Sequence, residues 1–228
     1  MRFAGLVKSS LVDYPGLVSC VLFVPGCNLD CFYCHNRPLI EGKLPLLGQS
    51  MVTEFLRKRA GLLDGVVLTG GEPTLYAGLE ETAGWLKRLG YRVKLDTNGA
   101  NPDVVSRLLT LKLCDYVAVD YKAPAARYKE LCGECADADK VLQTIRLLTQ
   151  SDTAFEVRTT VVPQLSMTDL AQMAHELPAL PRYVLNRYRV PDEYPAHEAS
   201  RILRRAYTQH EITAFAEALC EIQPGTVS

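Results

Sequence analysis

The sequence carries almost no net charge. Lys and Arg number 25 against 26 Asp and Glu, which gives a formal net charge of −1 at pH 7 over 228 residues. A protein that binds nucleic acid or an anionic membrane through bulk charge needs a clear positive excess. We therefore expect neither nucleic acid nor membrane among its partners.

The sequence also lacks a long apolar run. Its longest uncharged stretch, 14–29, is interrupted by Pro15, Gly16, Pro25 and Gly26, whereas a spanning helix needs about 20 continuous apolar residues. The N-terminal stretch 1–16 holds no apolar core long enough for a signal peptide. We expect a cytoplasmic protein, in which its eight cysteines are not a disulfide frame.

Apolar stretches of strand length alternate with stretches of helical periodicity along the chain. About six such β-then-α units predict a parallel sheet with crossover helices, an α/β fold. No linker or low-complexity segment interrupts them, so we expect a single domain over 1–228. Thr53 is a plausible helix cap, and a final helix is expected at about 198–220. The predicted strands lie at 17–24, 65–73, 91–99, 115–122, 154–163 and 182–190, and the earlier helices at 51–60, 76–89, 102–111, 137–149 and 167–177.

Polar residues gather at the predicted carboxyl ends of four strands. An open doubly wound sheet and a curved, barrel-like (β/α) array both fit the pattern, and both bind ligands at those ends. The sequence therefore predicts one site built from four segments: Cys27–Cys34, Gly70–Glu72, Asp96–Asn98 and Asp120–Lys122.

Three of the cysteines lie in one short loop, GCNLDCFYCHN at 26–36, with the spacing C-x3-C-x2-C. Structural zinc usually takes four ligands in two separated pairs, and His35 is poorly placed to complete such a set. A [4Fe–4S] cluster fits better, because its irons take thiolates from closely spaced cysteines. Cys27, Cys31 and Cys34 would then leave one iron without a protein ligand, open to a substrate or cofactor.

This motif, with Tyr33 before its last cysteine, resembles the radical S-adenosylmethionine (SAM) superfamily. The flanking sequence FVPGCNLDCFYCHN resembles the activating enzymes of glycyl-radical enzymes, most of all the group that activates anaerobic ribonucleoside-triphosphate reductase. The similarity extends from about residue 3 to about residue 190. It implies a partial (β/α)6 barrel and an oxidoreductase in which SAM chelates the open iron of a [4Fe–4S] cluster on the three cysteines. It also implies an anaerobic reaction, in which reductive cleavage of SAM gives a 5′-deoxyadenosyl radical that abstracts hydrogen from a glycyl-radical enzyme. A reduced flavodoxin or ferredoxin is the implied electron donor.

The same resemblance assigns roles to further residues. The TGGEP stretch implies that Gly70, Gly71 and Glu72 contact the amino group of SAM. Tyr33 is implied near the adenine, where stacking is physically sensible. The strand residue Arg158 is implied to reach the SAM carboxylate or ribose.

Two more strand ends complete the implied site. Asp120 and Lys122 are expected to contact SAM, with Tyr121 between them pointing the other way. Thr97 and Asn98 are also expected to bind the cofactor, and Asp96, Thr97 and Asp120 are candidate ligands of a monovalent cation. Asn98 and Gly99 alone are also explained by ordinary turn chemistry.

Two features of the sequence are not explained by the resemblance. Cys132 and Cys135 form a C-x-x-C pair. Such a pair can be a redox pair or half of a second cluster site, but no second cysteine pair accompanies it, and we interpret the two as peripheral thiols. An Arg- and Tyr-rich stretch at 182–205 is either a solvated face or a partner-docking surface. Two other functions stay open: a radical SAM enzyme acting on a small molecule of the deazaguanine type, and a non-enzymatic iron–sulfur or zinc module.

Overall fold

The computed structural model describes all of residues 1–228, and strands and helices alternate along them. The eight strands are β1 Gly5–Ser10, β2 Ser19–Val24, β3 Gly65–Gly70, β4 Arg92–Thr97, β5 Tyr116–Asp120, β6 Ala154–Val161, β7 Tyr183–Arg187 and β8 Thr226–Val227. The nine α-helices are α1 Arg37–Ile40, α2 Gln49–Arg59, α3 Leu79–Arg88, α4 Pro102–Thr110, α5 Tyr128–Cys132, α6 Ala138–Thr149, α7 Met167–Glu176, α8 Ala199–Ile202 and α9 Gln209–Leu219.

The first of two compact units contains residues 1–27, 38–97 and 103–117. In it, β1 pairs antiparallel with β2, while β2, β3 and β4 pair in parallel. Leu22, Val67 and Leu68 are fully inaccessible or nearly so, because strands of a parallel sheet are covered on both faces. Val24 pairs with Gly70 in the β2–β3 register. The loops after β2 and β3 therefore start at the same edge of the sheet.

The second unit contains residues 28–37, 98–102 and 118–228. Its strands β6, β7 and β8 are parallel, with Val157 opposite Tyr183 and Tyr183 opposite Thr226. The amide of Tyr121, just after β5, donates to the carbonyl oxygen of Arg158 in β6 at 2.9 Å. The predicted α/β fold with mostly parallel strands is confirmed. The chain passes between the two units several times, and the single domain over 1–228 stays a prediction.

Side-chain caps explain the starts of the helices α6, α7 and α9. Asp137 caps α6 by accepting from the amides of Asp139 and Lys140. Ser166 caps α7 with a capping box that includes Asp169. The expected cap at Thr53 is wrong: α2 begins at Gln49 and places Thr53 in its interior, after Gly48, which makes no side-chain cap bond.

The prediction of one helix over 198–220 is also wrong. The helix stops at Ile202 and a separate helix starts at Gln209. The Thr208 hydroxyl accepts from the Glu211 amide at 3.2 Å, and the Glu211 carboxylate accepts from the Thr208 amide at 2.7 Å. This T-x-x-E capping box starts a new helix. No helix in the structure is long and apolar enough to cross a membrane.

Candidate functional site

The cysteine loop follows β2 directly. Gly26 opens it with φ +77°, a left-handed conformation that favours glycine. Cys31 is buried, while Cys27 and Cys34 are partly accessible, and none of the three forms a disulfide. The amide of Cys34 donates to the carbonyl oxygen of Cys31 at 3.1 Å. The loop thus offers three unbridged thiols on a turn held by its own backbone.

Arg37 stabilises the second half of this loop. Its side chain is buried and donates to the carbonyl oxygen of Cys31 at 2.7 Å. It also forms an ion pair with Asp30. The Asp30 amide in turn donates to the carbonyl oxygen of Cys132 at 2.9 Å. A buried guanidinium that bonds both side chain and backbone fixes the loop more firmly than a single contact does.

Tyr33 lies inside the second unit with 6% of its surface exposed. Its ring meets Phe32 and Tyr188 edge to face, at centroid distances of 5.0 and 6.4 Å. Its hydroxyl is buried and has no hydrogen-bond partner. Leaving a buried hydroxyl without a partner costs free energy, so this atom suits a site that is completed when a polar ligand binds.

Burial affects the pKa of two of the loop thiols, Cys31 and Cys34. A hydrogen bond to Cys132, together with burial, raises the pKa of Cys31 well above its ordinary value. Burial also raises the pKa of Cys34. Metal binding must therefore displace protons, as expected where thiolates are ligands. Three unbridged thiols on one short loop are ligands of the type that an iron–sulfur cluster uses.

The turn after β3 depends on two glycines. Gly70 has φ +113°. A Cβ atom on Gly71 would lie 1.7 Å from the carbonyl oxygen of Gly26. The amide of Gly71 donates to the carbonyl oxygen of Val24 at 2.8 Å, and the amide of Glu72 donates to that of Gly26 at 2.8 Å. Only a glycine at 71 lets the turn pack directly against the start of the cysteine loop.

The Glu72 carboxylate is fully buried and links this turn to the end of β4. Its Oε1 accepts from the Thr74 amide at 3.0 Å, from the Thr74 hydroxyl at 2.6 Å and from the Thr97 hydroxyl at 2.8 Å. Three donors on one oxygen satisfy this buried acceptor. The structure therefore brings Glu72 and Thr97 together, two residues from separate predicted segments.

Asp96 lies beside a buried lysine that the sequence patterns above do not single out. Lys94 is 2% exposed, and its Nζ lies 2.9 Å from Asp96 Oδ1. The same ammonium donates to the carbonyl oxygen of Asp13 at 2.7 Å. The pairing of Lys94 with Asp96 could have been predicted from the sequence, because residues two apart on a strand share a face.

In the second unit, Asp120 pairs with two cations. Its Oδ2 lies 3.0 Å from Lys122 Nζ and its Oδ1 lies 3.1 Å from Arg158 Nε. Burial alone would raise the pKa of Asp120, but the two cations outweigh burial and hold the pKa at about 2. Burial alone would lower the pKa of Lys122, but the Asp120 carboxylate raises it well above its usual range. Lys122 and Arg158 therefore both lie against the Asp120 carboxylate.

The Tyr121 side chain has the orientation that the strand pattern predicts. Tyr121 is fully buried and its hydroxyl donates to Glu176, on the opposite side of the strand from its neighbours.

The Asn98 side chain donates to Asn28 Oδ1 at 2.8 Å and accepts from the Ala100 amide at 2.9 Å. Gly99 has φ +74°, as turn chemistry predicts.

The two cysteines of the C-x-x-C pair are in different environments. Cys135 is exposed, and the interpretation of a peripheral thiol holds for it. The same interpretation is wrong for Cys132, which is fully buried and whose carbonyl oxygen accepts from the amide of Asp30 in the cysteine loop at 2.9 Å. A short helix, α5, carries Cys132 into contact with the cysteine loop, and the sequence alone contains no signal for that contact.

The candidate cation ligands all have other partners. Asp96 contacts Lys94, the Thr97 hydroxyl donates to Glu72, and Asp120 pairs with two cations. No group of three or more His, Cys, Asp and Glu side chains is arranged to hold a metal ion. The monovalent cation on Asp96, Thr97 and Asp120 stays a prediction.

Comparison with known proteins agrees with this chemistry. The family model of the radical SAM superfamily matches residues 21–177. Over 200 residues, 84% of this chain and 81% of the relative, the sequence is 36% identical to a Methanocaldococcus jannaschii protein named "Putative glycyl-radical enzyme activating enzyme". It is 35% identical over 117 residues to a Neisseria meningitidis 7-carboxy-7-deazaguanine synthase, covering 51% of this chain and 50% of the synthase.

Solved structures share the fold at low sequence identity. Streptococcus suis SuiB bound to S-adenosylmethionine superposes with a TM-score of 0.66 at 15% identity, over 88% of this chain and 48% of SuiB. The protein anSMEcpe with bound AdoMet superposes with a TM-score of 0.62 at 19% identity, over 92% of this chain and 62% of anSMEcpe. Both likenesses concern the fold, and both solved proteins contain bound SAM.

Proposed function

This chain belongs to the radical SAM superfamily, and we propose that within it the protein is an activating enzyme. It would use SAM to install a glycyl radical on a separate partner protein. The observation that carries this proposal is the 36% identity to the M. jannaschii protein over most of both chains. The deazaguanine synthase matches only about half of either chain.

Cys27, Cys31 and Cys34 would hold the [4Fe–4S] cluster that the family implies. When bound, such a cluster with one open iron supplies a single electron to the sulfonium of a chelating SAM molecule. The structure supports the fit in two ways. The three thiols are unbridged, and the nearby Tyr33 hydroxyl is buried without a partner.

Two groups of side chains would bind SAM by charge. Lys122 and Arg158 lie on either side of Asp120, and cationic side chains of this kind suit the SAM carboxylate. The turn at Gly70, Gly71 and Glu72 offers carbonyl oxygens and a buried carboxylate, which suit the SAM ammonium. Each group is held by bonds within its own unit.

Polar contacts to the nucleoside would come from Tyr33, Thr97 and Asn98. The Asn98 side chain is fixed by Asn28 and by the Ala100 amide, and Thr97 is fixed by Glu72. The ring of Tyr33 is held by Phe32 and Tyr188. Such preorganised side chains orient a ligand and keep water away from the reacting atoms. No acid–base pair is required for this task.

The substrate in this proposal is the Cα–H bond of a glycine in the partner protein. The sequence similarity of the cysteine loop favours anaerobic ribonucleoside-triphosphate reductase as that partner, with a flavodoxin or ferredoxin as the electron donor. Proximity decides which C–H bond reacts, because a radical abstracts hydrogen from the group held nearest to it.

The proposal is tested by anaerobic reconstitution with iron and sulfide, followed by SAM, a chemical reductant and a candidate partner. We expect 5′-deoxyadenosine in the solution and the electron paramagnetic resonance (EPR) doublet of a glycyl radical on the partner. A partner in which the glycine is replaced by alanine is the matched control. Formation of 5′-deoxyadenosine without a protein radical on any glycyl-radical enzyme would contradict the activating role.

A small-molecule substrate is the second candidate, because the deazaguanine synthase is 35% identical over 117 residues. In that case a partner protein is unnecessary. A small substrate, and not a glycyl-radical enzyme, would then accelerate 5′-deoxyadenosine formation. Comparing the two rates on one preparation separates the candidates.

A further inference from the structure

Arg201, far along the chain in the short helix α8, lies against the cysteine loop. Its guanidinium carbon is 4.1 Å from the centre of the Phe32 ring. Phe32 stands between Cys31 and Tyr33 in the sequence, and it is buried. A guanidinium this close to an aromatic face makes a cation–π contact. Neither the cysteine motif nor the proposed function uses this arginine.

The same guanidinium also bonds two helices. Its Nη2 donates to the carbonyl oxygen of Glu130 in α5 at 3.0 Å, and its Nη1 donates to Glu198 Oε2 at 3.2 Å. A guanidinium donates within its plane and can stack an aromatic ring on its face. Arg201 can therefore make all three contacts at once, and it joins α5, α8 and the cysteine loop within the second unit.

The backbone that carries Arg201 is itself held in place. The Gln164 side-chain amide donates to the carbonyl oxygen of Arg201 at 2.9 Å. The Tyr188 hydroxyl donates to the carbonyl oxygen of Ile202 at 3.0 Å, and Ile202 is fully buried. The arginine side chain thus extends from a fixed turn of helix towards the Phe32 ring.

The orientation of Tyr33 depends on the same short helix. The Tyr33 ring meets two rings edge to face, those of Phe32 and Tyr188. Arg201 covers the first ring, and the hydroxyl of the second is bonded to Ile202. Both rings beside Tyr33 are therefore fixed by neighbouring residues of α8.

We propose that Arg201 is a positioning residue for SAM binding: it holds Phe32, and through Phe32 the Tyr33 ring, in the orientation that the nucleoside contact requires. This inference rests on the proposed function, in which Tyr33 contacts the nucleoside of SAM. Without Arg201, the loop occupies the binding conformation for a smaller fraction of the time. The apparent dissociation constant of SAM rises as that fraction falls.

The test measures the dissociation constant of SAM by equilibrium dialysis. The protein is reconstituted anaerobically and kept oxidised, without reductant or partner, and bound SAM is expressed per cluster. Arg201→Met keeps an unbranched side chain and removes the guanidinium. We expect SAM to bind roughly two- to thirtyfold more weakly, the factor that corresponds to one cation–π contact.

A double-mutant cycle shows whether Arg201 acts through the Phe32 ring. Phe32→Leu removes the ring and is expected to weaken SAM binding as well. The double variant is expected to bind SAM no more weakly than the weaker single variant, because both changes remove one shared contact. Fully additive losses would contradict the proposed route through Phe32.

Arg127→Met is the matched control for a general loss of stability. Arg127 pairs with Glu130 and Asp169 and donates to the carbonyl oxygen of Gln164, so it stabilises the same unit through other contacts. We expect a lower midpoint of thermal unfolding and an unchanged affinity for SAM. Arg204→Met, at an exposed residue, should change neither quantity.

Iron content and thermal unfolding are measured on the same samples. A wild-type affinity for SAM in Arg201→Met would overturn the inference, and so would equal weakening by Arg127→Met. If Arg201→Met does not fold, Phe32→Leu decides the matter, and a wild-type affinity in that variant would overturn the inference. A wild-type protein that takes up no cluster, or binds no SAM, would instead refute the proposed function.

Discussion

The amide of Glu72 donates a 2.8 Å hydrogen bond to the carbonyl oxygen of Gly26, the residue directly before Cys27. This bond joins the turn after β3 to the first residue of the cysteine loop. The parallel pairing of β2 and β3 brings the two segments to one sheet edge. Two motifs separated by more than forty residues in the sequence therefore form one element of the candidate site.

Replacement of Gly71 by alanine is expected to disrupt this element. The added Cβ would lie 1.7 Å from the Gly26 carbonyl oxygen, and overpacking of this kind costs about 1–3 kcal/mol. We expect a lower midpoint of thermal unfolding and faster loss of iron to a chelator. Gly48→Ala is the control, since a Cβ there has its nearest neighbour at 4.0 Å. Equal iron retention in the two variants would contradict the role of this contact.

Replacement of Cys27, Cys31 and Cys34 by alanine is expected to abolish iron and sulfide uptake. All three thiols are unbridged, and a cluster loses its attachment when its thiolates are removed. Iron content, sulfide content and visible absorbance after anaerobic reconstitution measure the outcome. Cys20→Ala, a change at a buried thiol in β2, should leave uptake intact. Full iron uptake by the triple variant would refute the assignment.

Replacement of Thr97 by valine is expected to destabilise the protein by about 1–3 kcal/mol, because a buried carboxylate loses a donor. The Thr97 hydroxyl lies 2.8 Å from Glu72 Oε1, and valine keeps the shape while removing the hydroxyl. Urea unfolding monitored by circular dichroism gives the free energy of unfolding. Thr110→Val, on the exposed side of α4, provides the comparison and should cost much less. Similar losses in both variants would argue against a special role for the Glu72 contact.

The Asp120 ion pairs predict a defined pH dependence of stability. The folded-state pKa of Asp120 is about 2, below the unfolded value of about 3.9. A carboxyl group whose pKa is lower in the folded state stabilises that state at pH values above the unfolded pKa. This contribution to stability is lost as the pH falls towards the folded pKa. We therefore expect the difference in unfolding free energy between wild type and Asp120→Asn to be constant above about pH 5 and to shrink towards pH 2.

Urea titrations at pH 7, 4 and 3 check this dependence. Asp152→Asn, at a surface turn, is the control, and its difference from wild type should not follow the same curve. A difference for Asp120→Asn that stays the same down to pH 3 would show that the pairs with Lys122 and Arg158 do not lower the pKa.

Local patterns predicted most of the fold. Stretches of alternating or continuously apolar residues identified six of the strands, including β2 and β3. Helix caps and helical periodicity identified the longer helices. The final helix was misjudged because apolar spacing continues across 198–220, whereas the Thr208–Glu211 capping box starts a new helix. The edge strand β1 was missed because half of its residues are exposed and its pattern is weak.

Site residues could be predicted from the sequence only where residue type and sequence spacing together indicate one kind of site. The spacing of Cys27, Cys31 and Cys34 identified a cluster loop, and the glycines at 70 and 71 indicated a close backbone approach. Contacts between distant segments could not be predicted in this way. Neither the hydrogen bond from Lys94 to the Asp13 carbonyl oxygen nor the contact of the Cys132 carbonyl oxygen with the Asp30 amide follows from local sequence, because both depend on how strands and loops pack.

The central claim is that three thiolates leave one iron of the cluster open for SAM. Mössbauer spectroscopy of protein reconstituted with iron-57, recorded before and after addition of SAM, tests it most directly. We expect the signal of one iron site to change on SAM addition while the other three stay the same. Four cysteine-ligated irons with spectra that do not respond to SAM would contradict it.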